Sequence, residues 1–236
     1  MCGRFVSVSS PALVAERFQV DEVAVEAHEA DYNVTPRSEI YVVREHPDHG
    51  RQLRLVRWGL VPSWAKDVKI GDRMINARAE SLADKPAFRS ALQKRRCIIP
   101  ADGFYEWKRT AGRRKQPMFI HRRDGEPLAF AGLWAAWKNP ADPDADWLRT
   151  CTIITTEANA AVEEIHDRMP LVLPESNWHR WLDPEVRDLE VVAGLLRPDA
   201  AEGAGVYDVY PVSDAVNRPA NNGPELLARV EVPADE

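Results

Sequence analysis

The strongest constraint on this 236-residue chain is the shortness of its apolar runs, which end again and again at proline, glycine or a small polar side chain. Runs of roughly four to eight residues bounded in this way suit strands and are too short for core helices. They fall at Ile40 to Val43, Leu53 to Trp58, Arg96 to Ile99, Phe104 to Trp107, Met118 to His121, Ala129 to Leu133, Leu148 to Thr155 and Leu171 to Leu173. Helical spacing is confined to Pro11 to Phe18, Pro86 to Gln93, Glu157 to Ile165 behind a Thr156 cap, Glu175 to Leu182 and Leu189 to Leu196. The predicted class is α+β, a mainly antiparallel, barrel-like sheet with flanking helices. Without a linker, repeat or low-complexity stretch, residues 1–236 read as a single domain with a loose tail at 231–236. Asn139 to Asp146 reads as an exposed loop.

No apolar run reaches the roughly 18 residues a bilayer-spanning helix needs, and the start MCGRFVSVSS lacks the basic and apolar regions of a secretory signal. A cytoplasmic protein is the expectation. Cys2, Cys97 and Cys151 form no C-x-x-C pair, which argues against a disulfide framework and against a zinc site. Cys97 and Cys151 sit in apolar runs and read as small buried hydrophobes. The net charge of −6 hides an asymmetry: residues 1–50 carry −5, residues 51–123 carry +13 and residues 124–236 carry −14. The basic third can supply a phosphate-binding surface on an acidic protein, because salt screens charges beyond roughly 8 to 10 Å. A solvated basic face is the plainer alternative.

Four residues have chemistry in their context. Removal of Met1 would leave Cys2 as a 1,2-aminothiol, whose amine, with a pKa near 7.7 to 8.0, is roughly one-tenth neutral at pH 7. Such a group condenses with an aldehyde to a Schiff base, and the adjacent thiol closes a thiazolidine ring. Glu106 shares a strand face with the ring of Phe104, where an apolar surround raises a carboxyl pKa toward that of a general acid or base. His166, at the end of the expected helix, reads as an imidazolium favoured by the helix dipole and able to deliver protons. Asn76 offers both a donor and an acceptor to a substrate hydroxyl, with Arg78 two positions on to meet phosphate. Trp64, in the polar stretch Pro62 to Asp67, is the aromatic best placed to stack on an unpaired base. Each has a plainer reading taken alone: a cysteine that merely follows the start, an exposed strand glutamate, a capping histidine, a turn amide and a core ring.

Taken together, Met1-Cys-Gly-Arg-Phe5, Arg57-Trp-Gly-Leu-Val-Pro-Ser-Trp-Ala-Lys66, Ile75-Asn-Ala-Arg-Ala-Glu80, Arg95-Arg-Cys-Ile-Ile-Pro-Ala-Asp-Gly-Phe-Tyr-Glu-Trp-Lys108 and Ile165-His-Asp-Arg-Met-Pro170 resemble the SOS-response-associated peptidase (SRAP) family, in order and over nearly the whole chain. The resemblance implies an abasic-site processing protein that acts on single-stranded DNA through a covalent thiazolidine link at Cys2. It further implies removal of Met1 by self-processing, with a Schiff-base lyase branch. By the same resemblance Asn76 and Glu106 flank Cys2 and His166 completes the site, without metal or cofactor. Arg4, Trp64, Arg78 and Arg168 are the expected DNA contacts. A monomer, away from membranes and associated with the nucleoid when bound to damaged DNA, is expected. A thiol peptidase acting on other proteins and a non-catalytic reader of modified DNA are the alternatives.

Overall fold

The computed structural model describes residues 2–25, 29–110, 115–142, 144–196 and 204–232; Met1 and positions 233–236 of the expected tail lie outside them. The amino-terminal part forms β1 (Phe5–Ser7), α1 (Pro11–Arg17), β2 (Glu22–Val23), β3 (Asp31–Val34), β4 (Glu39–His46) and β5 (Gly50–Trp58). The middle forms β6 (Asn76–Arg78), α2 (Pro86–Lys94), β7 (Arg96–Ala101), β8 (Gly103–Arg109), β9 (Lys115–Arg122), β10 (Leu128–Trp137) and β11 (Leu148–Glu157). β12 (Arg168–Pro170), α3 (Glu175–Leu182), α4 (Leu189–Leu195) and β13 (Tyr207–Pro211) follow.

The larger sheet runs β12-β11-β10-β7-β4-β5-β2, and β11 also pairs in parallel with β5, with Cys151 opposite Trp58. That last pairing closes β5, β4, β7, β10 and β11 into a barrel. The other four junctions of the ring are antiparallel. A second, antiparallel sheet runs β13-β9-β8-β1-β3. The α+β class and the mainly antiparallel barrel expected from the apolar runs are therefore what the chain forms.

Period-2 alternation decides what fills the barrel. Ile40, Val42, Val56, Trp58, Cys97, Ile99, Phe130, Cys151 and Ile153 form one buried cluster. The opposite faces of the same strands, with Tyr41, Val43, Leu53, Ile98, Ala131 and Leu133, pack against Val14 and Phe18 of the α1 segment, Phe88 and Leu92 of α2, Trp178 and Trp181 of α3 and Val192 of α4. Burial on both faces explains why these strands read as continuous apolar runs. Each large side chain so buried contributes about 1.5 to 3 kcal/mol. Gly59, at φ +121, turns the chain out of β5, where a Cβ would lie 2.8 Å from the Gly71 carbonyl oxygen.

Local chemistry starts the helices. Ser10 Oγ accepts from Leu13 N ahead of Pro11, and Asp188 caps α4 through Glu190 N and Val191 N. Two expectations fail. Residues 157–165 form no helix: β11 runs on through Glu157 because Thr155, Thr156 and Glu157 pair with β12, and Asn159 rather than Thr156 caps the turns that follow. The strand expected at Leu171 to Leu173 lies earlier, at Arg168–Pro170, and Val172 makes only an isolated bridge to Phe130.

Candidate active site

β1 brings the start of the chain to one end of the barrel. Phe5 sits opposite both Val34 and Phe104, and its ring stands edge-on to Trp58 at 5.3 Å and to Phe130 at 6.2 Å. Tyr105 N donates to Arg4 O at 3.0 Å. Asp102 ties down the far side of the strand: its carboxylate accepts from Val8 N at 2.6 Å, from Ser9 N at 3.0 Å and from the Ser9 hydroxyl. Held at both ends, the segment carries Cys2 into the barrel cluster, where it is fully buried.

Asn76 opens β6, which pairs in parallel with β11, Asn76 lying opposite Ile153. Ile75 O anchors this edge by accepting from Ile153 N at 3.0 Å and Trp58 Nε1 at 2.8 Å. Asn76 Nδ2 then donates to Cys2 O at 2.7 Å. Its Oδ1 is buried and lacks a hydrogen-bond partner among the described residues, leaving one acceptor facing the site.

Burial, and then the Glu106 carboxylate, push the Cys2 thiol far above its ordinary range, so the sulfur is a thiol rather than a thiolate at neutral pH. Glu106 on β8 is 2% exposed. Burial raises its carboxyl to about 6, against the pull of the amino-terminal charge. The plainer reading of Glu106 as an exposed strand residue is thus excluded. His166 shifts the other way from its expectation: burial first, then the amino-terminal charge, lowers it, while Asp167 opposes them. With no helix ending there, the dipole that would have favoured the imidazolium is absent, and desolvation decides the direction. His166 Nδ1 meets Arg168 N at 3.0 Å and Asp167 Oδ1 at 2.8 Å. The neutral ring accepts from the first, and the protonated ring donates to the second. The amino-terminal charge acts on both Glu106 and His166, and Glu106 acts on Cys2, so these groups share one electrostatic neighbourhood.

A cavity of about 410 Å³ opens beside them, lined by Trp107, Arg109, Lys115, Glu163, Glu164, Ile165, His166 and Asp167. Its charges are mixed rather than uniformly basic. The expected DNA contacts separate into three kinds. Arg4 is held inside by Asn33 Oδ1 and Val216 O, both at 2.7 Å. Arg168 forms a two-pronged ion pair with Glu80 at 2.8 and 3.0 Å and donates to Thr155 O at 2.7 Å. Arg78 is exposed and free of ion pairs among the described residues. Trp64 stands apart from this group, 59% exposed, over a cavity of about 530 Å³ lined also by Lys66, Lys69 and Arg73. Asp102 and Glu80 escaped the sequence reading because a turn aspartate and a lone glutamate carry no spacing that reveals a distant partner.

Fold and site define a small α+β barrel protein whose second residue is buried beside a carboxyl and an amide. The chain belongs to the SOS response associated peptidase (SRAP) family, which matches residues 1–219. It is 45% identical to the abasic site processing protein YoqW of Bacillus subtilis over 96% of this chain and 99% of that one. Against the abasic site processing protein YedK of Escherichia coli it is 33% identical over 98% and 100%. A crystal structure of a Bacteroides thetaiotaomicron protein superposes with a TM-score of 0.84 at 25% identity, covering 98% of this chain and all of the other.

Proposed function

We propose that this protein processes abasic sites in single-stranded DNA by covalent capture at Cys2 once Met1 has been removed by self-processing. The observation that carries the reading is the convergence of Asn76, Glu106 and His166 on the amino terminus, with Asn76 holding Cys2 O at 2.7 Å. The relatives YoqW and YedK, both abasic site processing proteins, suggest the substrate class.

Hydrolysis of the Met1–Cys2 peptide bond releases methionine and frees the α-amine. The neutral amine attacks the aldehyde of the ring-opened sugar, and loss of water gives an imine. Cys2 S–H then adds across the C=N bond: sulfur bonds to carbon, the proton passes to nitrogen, and a thiazolidine closes. A thiol kept protonated by burial suits this order, with the amine attacking first. Glu106, titrating near 6, gives and takes protons during ring opening and dehydration. Asn76 fixes the residue that bears the amine, and a neutral His166 takes a proton from the sugar or returns it. Arg4, Arg78 and Arg168, with Trp64 further out, are assigned to the DNA backbone and bases. The protein acts as a monomer without cofactor, associated with DNA inside the cell.

The test is incubation with a single-stranded oligonucleotide carrying one abasic site, followed by a denaturing gel and intact mass. The expected product is one protein lacking Met1 plus one oligonucleotide minus one water. A heat-stable adduct formed by Cys2→Ala would overturn the thiazolidine.

A further inference from the structure

The barrel has a second end, and its lining changes from apolar to cationic. The inward positions of β4 run Ile40, Val42, Arg44, and those of β5 run Trp58, Val56, Arg54, Gln52, with Val42 opposite Arg54 and Arg44 opposite Gln52. On the neighbouring strands the same faces run Ile99, Cys97 and then Arg95, Phe130, Gly132 and Trp134, and Ile153, Cys151 and Arg149. Alternation therefore directs four arginines and one indole to the mouth remote from Cys2. Arg149 lies four residues from Ile153, the partner of Asn76, or about 14 Å along the strand at ~3.4 Å per residue.

Among the described residues none of Arg44, Arg54, Arg95 and Arg149 forms an ion pair. Arg44 and Arg95 stack over the Trp134 ring at 4.6 and 5.8 Å, and Arg44 and Arg54 both donate to Gln52 Oε1, at 3.0 and 3.2 Å. Glu22, whose charge acts on Arg44 and Arg54, is engaged by Gln52 Nε2 and His49. Arg44 is only 7% exposed, and its buried Nε has no hydrogen-bond partner among the described residues. Burial, then the charges of Arg54 and Arg149, lower Arg44 to about 10. A buried guanidinium pressed by like charges and missing a partner is stabilised by a polyvalent anion.

We infer that this mouth of the barrel, formed by Arg44, Arg54, Arg95 and Arg149 around Trp134, is a phosphate-binding site separate from the Cys2 site. Its occupant is a phosphate group, borne either by a nucleic-acid backbone or by a small phosphorylated molecule.

Inorganic pyrophosphate is the probe, titrated calorimetrically into the full-length protein at low salt. Saturable binding in the micromolar range is expected, unchanged in Cys2→Ala. Arg95→Gln/Arg149→Gln should weaken it by at least about tenfold, as should Arg54→Gln alone, which guards against misfolding of the double variant. Competition by an undamaged single-stranded oligonucleotide would assign the phosphate to nucleic acid, and its failure to compete would assign it to a small molecule. Absence of binding at millimolar pyrophosphate, equal affinity in these folded arginine variants, or loss of binding in Cys2→Ala would overturn the inference.

Discussion

Asn76 Nδ2 donates to Cys2 O at 2.7 Å, joining β6 to the start of the chain across 74 positions of sequence. Asn76→Asp keeps the shape but replaces the donor with an oxygen facing an oxygen. A buried group left unpaired costs about 1 to 3 kcal/mol. In the proposed reaction that misplacement of the amine should slow adduct formation roughly 10- to 100-fold. Single-turnover gel kinetics with abasic DNA checks this, and a rate within twofold of wild type would remove Asn76 from the mechanism.

Glu106 links catalysis to pH. Its folded value of about 6 lies above the 4.5 it starts from, so the folded protein holds this proton more tightly than the unfolded chain. The resulting stability is complete below about pH 4.5 and is lost as pH rises through 6, a change of about 2 kcal/mol. Glu106→Gln removes the titration. Between pH 4 and 8 the stability of the variant should therefore gain by that amount relative to wild type, measured by denaturant unfolding at each pH. The wild-type adduct rate should show an inflection near pH 6 that the variant lacks.

The barrel was legible in the sequence because its strands are buried on both faces, and a short β-branched run such as Cys97-Ile-Ile99, closed by Pro100, suits a buried strand better than a helix. β1, β3, β6 and β13 were not read, being short or carrying polar residues such as Asp31, Asn33, Asn76 and Asp208 whose partners lie far along the chain. The parallel closure of β5 on β11 has no local signature at all. Cys2, Asn76, Glu106 and His166 were grouped into one site through the resemblance, but the direction of the His166 shift has no such source. It depended on whether residues 157–165 were helical, and pairing with β12 settled that against local spacing.

The division of labour between amine and thiol can be separated with Cys2→Ser. That variant retains the α-amine, so it should still form the imine, visible on a gel after borohydride reduction. It cannot close a thiazolidine, and the unreduced adduct should dissociate on heating. A retained Met1 or an appended amino-terminal tag should abolish both products at residue 2, because it ties the nitrogen of that residue into an amide. Equal heat stability of the unreduced Cys2→Ser and wild-type adducts would show that sulfur is not in the link.

The arginines near the site should respond in opposite ways to two measurements. Arg78 is exposed and forms no ion pair among the described residues, so Arg78→Ala should leave thermal stability nearly unchanged, within about 0.5 kcal/mol. If Arg78 contacts one phosphate, the same change should reduce the slope of log affinity against log salt by about 0.7 on single-stranded DNA. Arg4 is different because its guanidinium bridges Asn33 Oδ1 and Val216 O, holding the amino-terminal strand to the segment that follows β13. Arg4→Ala strands Asn33 Oδ1, while Val216 O keeps its bond from Asn33 Nδ2 at 3.3 Å, and should cost about 1 to 3 kcal/mol in unfolding free energy, in addition to any loss of DNA affinity. Arg168 falls between them: its charge is already matched by Glu80, so Glu80→Gln should strengthen DNA binding at low salt if that guanidinium reaches phosphate. Weakened or unchanged binding in Glu80→Gln would place Arg168 with the structural arginines, as a clamp between β11 and β12.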